Sequence, residues 1–126
     1  MENDTIVDNQ EVKIEKKTVF DEKSCPITAT MQVLGGKWKV ILINAIYHTS
    51  PARFGELKRS VKGITQSMLT QQLRELEEDG LISRKIYAEI PPRVEYTLTE
   101  FGLTLGPIMQ SMATWGEEYR LNKQTV

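Results

Sequence analysis

One cysteine, Cys25, and one histidine, His48, stand among 126 residues. A single thiol cannot build an internal disulfide framework, and the two residues together cannot supply a thiolate or multi-histidine metal cage. Long apolar runs are missing as well. The longest, Val40 to Tyr47, is interrupted by Asn44 and falls far short of the ~20 residues that span a bilayer. Residues 1–24 are charged and lack the apolar centre of a secretory signal, so a cytoplasmic location without a membrane partner is expected. Charge of one sign is also scarce: the net charge is −1. It is unevenly spread, with four lysines against seven acids in residues 1–24 (net −3) and twelve bases against ten acids thereafter (net +2). Any affinity for nucleic acid must then come from local arrangement. No nucleophile with an adjacent base, metal cluster or phosphate-cradling glycine loop is visible, so neither an enzyme nor a bound cofactor is expected.

What is present is an ordinary globular composition, 40% hydrophobic and 26% charged, in a chain long enough for one core and too short for two. Residues 1–24 read as a flexible charged tail with a short strand at Val12 to Ile14. Pro26 suits the first turn of a helix whose face Ile27, Met31 and Leu34 ends at Gly35 and Gly36. A central core helix begins near Lys37, with Trp38, Ile41, Leu42, Ala45 and Ile46 at i, i+3, i+4, i+7 and i+8. His48 near its end suits the helix dipole. Ser50 and Pro51 break this helix, and Arg53 to Ser60 forms a third that turns inward through Phe54 and Leu57.

Lys62 and Gly63 make a tight turn, after which Thr65 can cap a helix over residues 65–79 that stops at Gly80. Leu69, Leu73 and Leu76 share its apolar face. Gln66, Ser67, Thr70, Gln71 and Arg74 lie opposite. Two helices across a tight turn, the second with a hydrogen-bonding outer face, form the helix-turn-helix pattern. Residues 82–98 alternate as a hairpin, Val94, Tyr96 and Leu98 inward, with Glu89 to Pro92 as its loop. A further helix over residues 100–120 carries Leu105, Ile108, Met109, Met112, Trp115 and Tyr119, with Pro107 kinking or restarting it. Residues 121–126 read as a second tail. The fold class expected is mainly α with a small β-hairpin, a winged helix-turn-helix.

An α-helix fits the major groove, and amide or guanidinium groups can pair with purine edges. Gln66, Gln71 and Arg74 carry such groups, and Ser67 and Thr70 suit phosphates or the thymine methyl. Arg53, Lys58, Arg59 and Lys62 precede the helix and suit the flanking backbone; Arg84, Lys85 and Arg93 lie on the hairpin, where a wing reaches an adjacent groove. Glu75, Glu77, Glu78 and Asp79 are confined to the last turn, away from phosphates if the N-terminus enters first. The same polar face alone could be solvated surface, and Trp38 and Trp115 read as packing anchors. A winged helix that binds protein rather than DNA is the alternative, which salt dependence of duplex binding separates.

Several fragments resemble HxlR-type winged-helix regulators: Cys25-Pro26, Gly35-Gly36-Lys37-Trp38, Arg53-Phe54-Gly55-Glu56-Leu57, Met68-Leu69-Thr70, Leu73-Arg74-Glu75-Leu76, Pro91-Pro92-Arg93-Val94-Glu95-Tyr96 and Trp115-Gly116. The resemblance covers about Cys25 to Tyr119. It implies a nucleoid-associated transcription regulator, repressor in type, dimeric through its N- and C-terminal helices and bound to two-fold symmetric duplex DNA. Ile27, Met31, Leu105, Ile108, Met109, Met112, Trp115 and Tyr119 are the matching interface candidates, the bland reading being that the last helix folds back on its own core. Some members sense oxidants or electrophiles through a cysteine at the position of Cys25. That makes Cys25 the candidate redox sensor, with an oxidant or small molecule as effector. A thiol at a helix N-terminus favours the thiolate, although the alternative of an inert small residue stands beside it.

Overall fold

The computed structural model describes residue 21 and residues 23–125. The short strand expected at Val12 to Ile14, like most of the expected N-terminal tail, lies outside the described residues. The first described residues form a turn in which Asp21 Oδ1 accepts from the Lys23 and Ser24 backbone N–H groups at 2.9 and 3.0 Å.

Nine elements follow: α1 (Pro26–Leu34), α2 (Lys39–Thr49), β1 (Ala52–Arg53), α3 (Phe54–Ser60), α4 (Gln66–Glu78), β2 (Ile82–Tyr87), β3 (Arg93–Leu98), α5 (Glu100–Leu103) and α6 (Gly106–Thr125). This is an α+β chain, as the helical and two-residue periodicities require. The core is one cluster. Leu42, Ile43 and Ile46 of α2, Leu57 of α3, and Leu69 and Leu76 of α4 are almost fully enclosed, and Leu81, Ile82 and Tyr96 close it from the sheet side. Thr65 caps α4 as its sequence position suggests, its Oγ1 accepting from the Met68 N–H at 3.1 Å. Gly63, in the turn between α3 and α4, adopts φ +89°, a left-handed conformation that a Cβ disfavours.

Three boundaries differ from the sequence reading, each for a local reason. The sheet has three strands in the order β1-β3-β2, all antiparallel, with Ala52 opposite Tyr96 and Ile82 opposite Leu98. Two residues give no period to read, yet they supply the outer partner that β3 would otherwise lack. Because Arg53 belongs to β1, α3 begins at Phe54; the Arg53 backbone N–H instead donates to Glu56 Oε1 at 2.8 Å, a side-chain cap for the new helix. Residues 35–38 form a turn, so α2 starts at Lys39 and not at Lys37.

The C-terminal helix is interrupted just before Pro107, where a kink or restart was expected, and α6 then continues through Thr125, so the helix takes in residues expected to form a tail after residue 120. The short α5 links it to the rest. Thr99 Oγ1 donates to the Gly80 carbonyl at 2.6 Å and accepts from the Gly102 N–H at 2.9 Å, while the Thr99 N–H donates to the Leu81 carbonyl at 3.1 Å. Close approach makes Gly102 necessary here: a Cβ on it would stand 2.1 Å from the Leu81 carbonyl oxygen. No helix among the described residues is long and apolar enough to cross a membrane.

Candidate nucleic-acid interface

Helix α4 is sharply two-sided. Leu69, Leu73 and Leu76 are buried, whereas Gln66, Ser67, Thr70, Gln71 and Arg74 are exposed. Its hydrogen bonds decide which side chains keep free groups for a ligand. Thr70 Oγ1 spends its proton on the Gln66 carbonyl at 2.9 Å, so it retains only acceptor capacity and a methyl group. Gln71 Nε2 donates to Glu75 Oε2 at 2.6 Å. Arg74 makes no ion pair with another described residue and lines a cleft with Phe54, Thr70, Glu77, Arg84 and Tyr96. Its guanidinium keeps a full set of donors.

The flanking cations fall into two groups. Arg53, Lys58, Arg59 and Lys62 are exposed around α3 and the turn after it, and form no ion pair with a described residue. That disposition suits phosphate contact. The hairpin cations are less available. Arg84 Nε lies 3.4 Å from Glu77 Oε1. Lys85 is exposed, with its Nζ 5.0 Å from the centre of the Tyr87 ring. Arg93 is tied down: its Nη1 donates to Glu95 at 2.9 Å, its Nη2 to Glu89 at 2.8 Å, and the guanidinium lies 3.8 Å over Tyr87. Arg93 therefore braces the hairpin, and the tip beyond it is Ile90, fully exposed beside Pro91 and Pro92.

One pairing is invisible in the linear pattern. Lys39, in the first turn of the core helix α2, is 9% exposed, and its Nζ lies 2.6 Å from Glu75 Oε1 on α4. Hydrogen bonds from Lys39 and then Gln71 hold the Glu75 carboxyl below the usual carboxylate range. A lysine in the first turn of the core helix, directly before the apolar Val40 to Ile43, was the available signal, since a buried ammonium requires a counter-charge. Tyr96, by contrast, has its phenol pushed up by burial and stays neutral in the core.

Away from α4, the remaining candidates gather on α1 and α6. Ile27, Met31, Ile108, Met112, Trp115 and Tyr119 are exposed, the last two stacked at 5.6 Å between ring centres. Leu105 and Met109 instead lie half-buried against the chain's own core, because the residue before α6 and the first turn of α6 pack on it. Cys25 is half-exposed immediately before α1, its carbonyl accepting from the Ala29 N–H.

A helix-turn-helix with an outward polar second helix and a following hairpin defines a winged-helix DNA-binding regulator of transcription. Residues 33–124 match the HxlR-like helix-turn-helix family, and the chain belongs to that family. It is 51% identical over 109 residues to the HTH-type transcriptional regulator YybR of Bacillus subtilis (strain 168), covering 84% of this chain and 85% of that protein. Among solved structures it resembles the redox regulator HypR in its reduced form, with a TM-score of 0.75 and 48% identity over 81% of this chain and all of that one. The reduced form of the transcriptional regulator YodB from B. subtilis gives a TM-score of 0.66 at 33% identity, over 75% of this chain and 93% of that one. These relatives are regulators of transcription and not enzymes.

Proposed function

We propose that this chain represses transcription as a homodimer on a two-fold symmetric operator, with α4 of each protomer in successive major grooves about 34 Å apart. The sidedness of α4 carries the reading: its apolar half is consumed by the core, and its polar half, flanked by the α3 cations, is left facing out. Dimerisation is supported by the exposed apolar row on α6, which the domain itself does not cover. Arg53, Lys58, Arg59, Lys62 and Lys85 hold phosphates; Thr65 and Ser67 at the N-terminus of α4 do the same, and Gln66, Gln71 and Arg74 read bases. Arg84 and Arg93 act within the wing.

Fluorescence anisotropy on duplexes recovered from the protein's own genome tests this reading, combined with light scattering for the oligomeric state. Steeply salt-dependent binding by a dimer is expected. A monomer without duplex affinity at low salt would refute it and favour a protein-binding winged helix.

Cys25 is the thiol through which an oxidant or electrophile reaches this dimer. Likeness to HypR supports the assignment, as does the half-exposed position next to the apolar face of α1. With one cysteine per chain, oxidation joins Cys25 to Cys25 of the partner subunit or to a small thiol, and an electrophile alkylates it directly. Mass spectrometry after diamide or quinone treatment should find the adduct, and operator binding by Cys25→Ser should ignore both reagents. Unchanged responsiveness in that variant eliminates the role.

A further inference from the structure

Lys39 is the one buried charged side chain among the described residues, and it stands in the first turn of the helix that carries the fully buried Leu42, Ile43 and Ile46. Its ammonium engages one oxygen of Glu75 at 2.6 Å, and the other oxygen of the same carboxylate receives Gln71 Nε2, also at 2.6 Å. The chain of contacts runs from the core to the exposed face of α4. An ionised carboxylate only accepts hydrogen bonds, so it must be met by the amide nitrogen of Gln71 and not by its oxygen. That fixes which way round the amide sits. Gln71 Oε1 and the second N–H of Nε2 are left over, an acceptor beside a donor.

We propose that Lys39 and Glu75 are positioning residues that set the base preference of Gln71, holding its amide as a reader of adenine. Adenine presents a donor at N6 and an acceptor at N7 in the major groove, the complement of that leftover pair. A freely rotating glutamine offers the same groups in either order and must be ordered on binding. The lysine also neutralises a carboxylate that would otherwise stand unpaired on a surface facing phosphates. This inference rests on α4 lying in the major groove.

The test is selection of bound sequences from a duplex library randomised across the operator, using the full-length protein and Lys39→Met, Glu75→Gln, Gln71→Ala and the double variant Lys39→Met/Gln71→Ala. Circular dichroism and thermal melting establish that each is folded; Glu75→Gln keeps the side-chain shape and serves if Lys39→Met does not fold. Adenine preference at one position of each half-site is expected to fall on the order of tenfold in Gln71→Ala. Lys39→Met and Glu75→Gln should lose much of that preference at the same position while leaving the others intact. The double variant should be no less selective than Gln71→Ala alone, a non-additivity that a merely structural role does not produce.

Unaltered base preference at every position in both Lys39→Met and Glu75→Gln overturns the relay and leaves the DNA-binding reading standing. A uniform loss at all positions also overturns it, by assigning the pair to stability. Absence of salt-dependent duplex binding by the unsubstituted protein overturns the major-groove reading, and the relay with it.

Discussion

Helices α4 and α6 are both amphipathic in sequence, yet the fold treats them oppositely. In α4 the apolar row Leu69, Leu73 and Leu76 vanishes into the core and the polar row is left outside. In α6 the apolar row Ile108, Met112 and Trp115 is itself left outside, while the half-buried Met109, with Leu105 just before the helix, packs on the core. The first helix has its apolar face covered within one chain, and the polar face it leaves out is the one proposed to meet DNA. The second keeps large apolar side chains exposed, and the homodimer proposed above would cover them. A stripe of large apolar residues is thus no guide to the core until the available partners have been counted.

Substitutions can break this contrast at either end. The largest effect is expected from Leu69→Ala, which removes a fully enclosed side chain and should cost about 2–5 kcal/mol of stability in urea melts; the equivalent Trp115→Ala should leave the melting of the isolated protomer nearly unchanged. Next comes Met112→Glu. It places a charge on the α6 face, and light scattering should find a monomer whose operator affinity has fallen roughly a hundredfold through lost bivalency. Arg74→Ala should weaken operator binding by about 1–3 kcal/mol and relax base preference, whereas Lys58→Ala weakens all duplexes alike. Equal losses on operator and random duplex for both variants would contradict that division. The smallest effect concerns the wing: Lys85→Ala should reduce the slope of log affinity against log salt by about 1, while Arg93→Ala should leave that slope unchanged because its guanidinium is already occupied by Glu89 and Glu95.

Acid should act on the link between α2 and α4. Glu75 is held below its ordinary carboxylate value by Lys39 and Gln71. The unfolded chain therefore takes up a proton there at higher pH than the folded one, and stability rises with pH through that window. The contribution is fully present at neutral pH and is lost as pH falls below the ordinary carboxylate range. Acid titration of thermal stability in the wild type and Glu75→Gln should show the wild type losing more.

The parts of this fold that were legible in sequence are those with a repeat or a stop: the i, i+4, i+7 leucines of α4, the alternation of Val94, Tyr96 and Leu98, and the glycines at 63 and 80 that punctuate them. Thr65 and Thr99 were legible as caps for the same reason, since their hydroxyls act on neighbours three residues away. What escaped depends on contacts between distant segments. Strand β1 exists because Ala52 and Arg53 meet β3, and two residues carry no pattern of their own. Arg93 reads in sequence as a wing cation on the hairpin, but Glu89 and Glu95 are brought onto it by the hairpin geometry. Glu75 looked like part of an acidic end to be kept from the ligand, and only the packing of α2 against α4 reveals Lys39 as its partner.

The contacts of Thr99 give the molecule a mechanical property as well. One residue ties the end of α4, through Gly80 and Leu81, to the start of α5, and Gly102 presses against the Leu81 carbonyl with no room for a methyl group. No slack segment separates the two halves at this joint. Thr99 is a clasp: three hydrogen bonds at one residue fasten the segment that ends α4 to the first turn of α5.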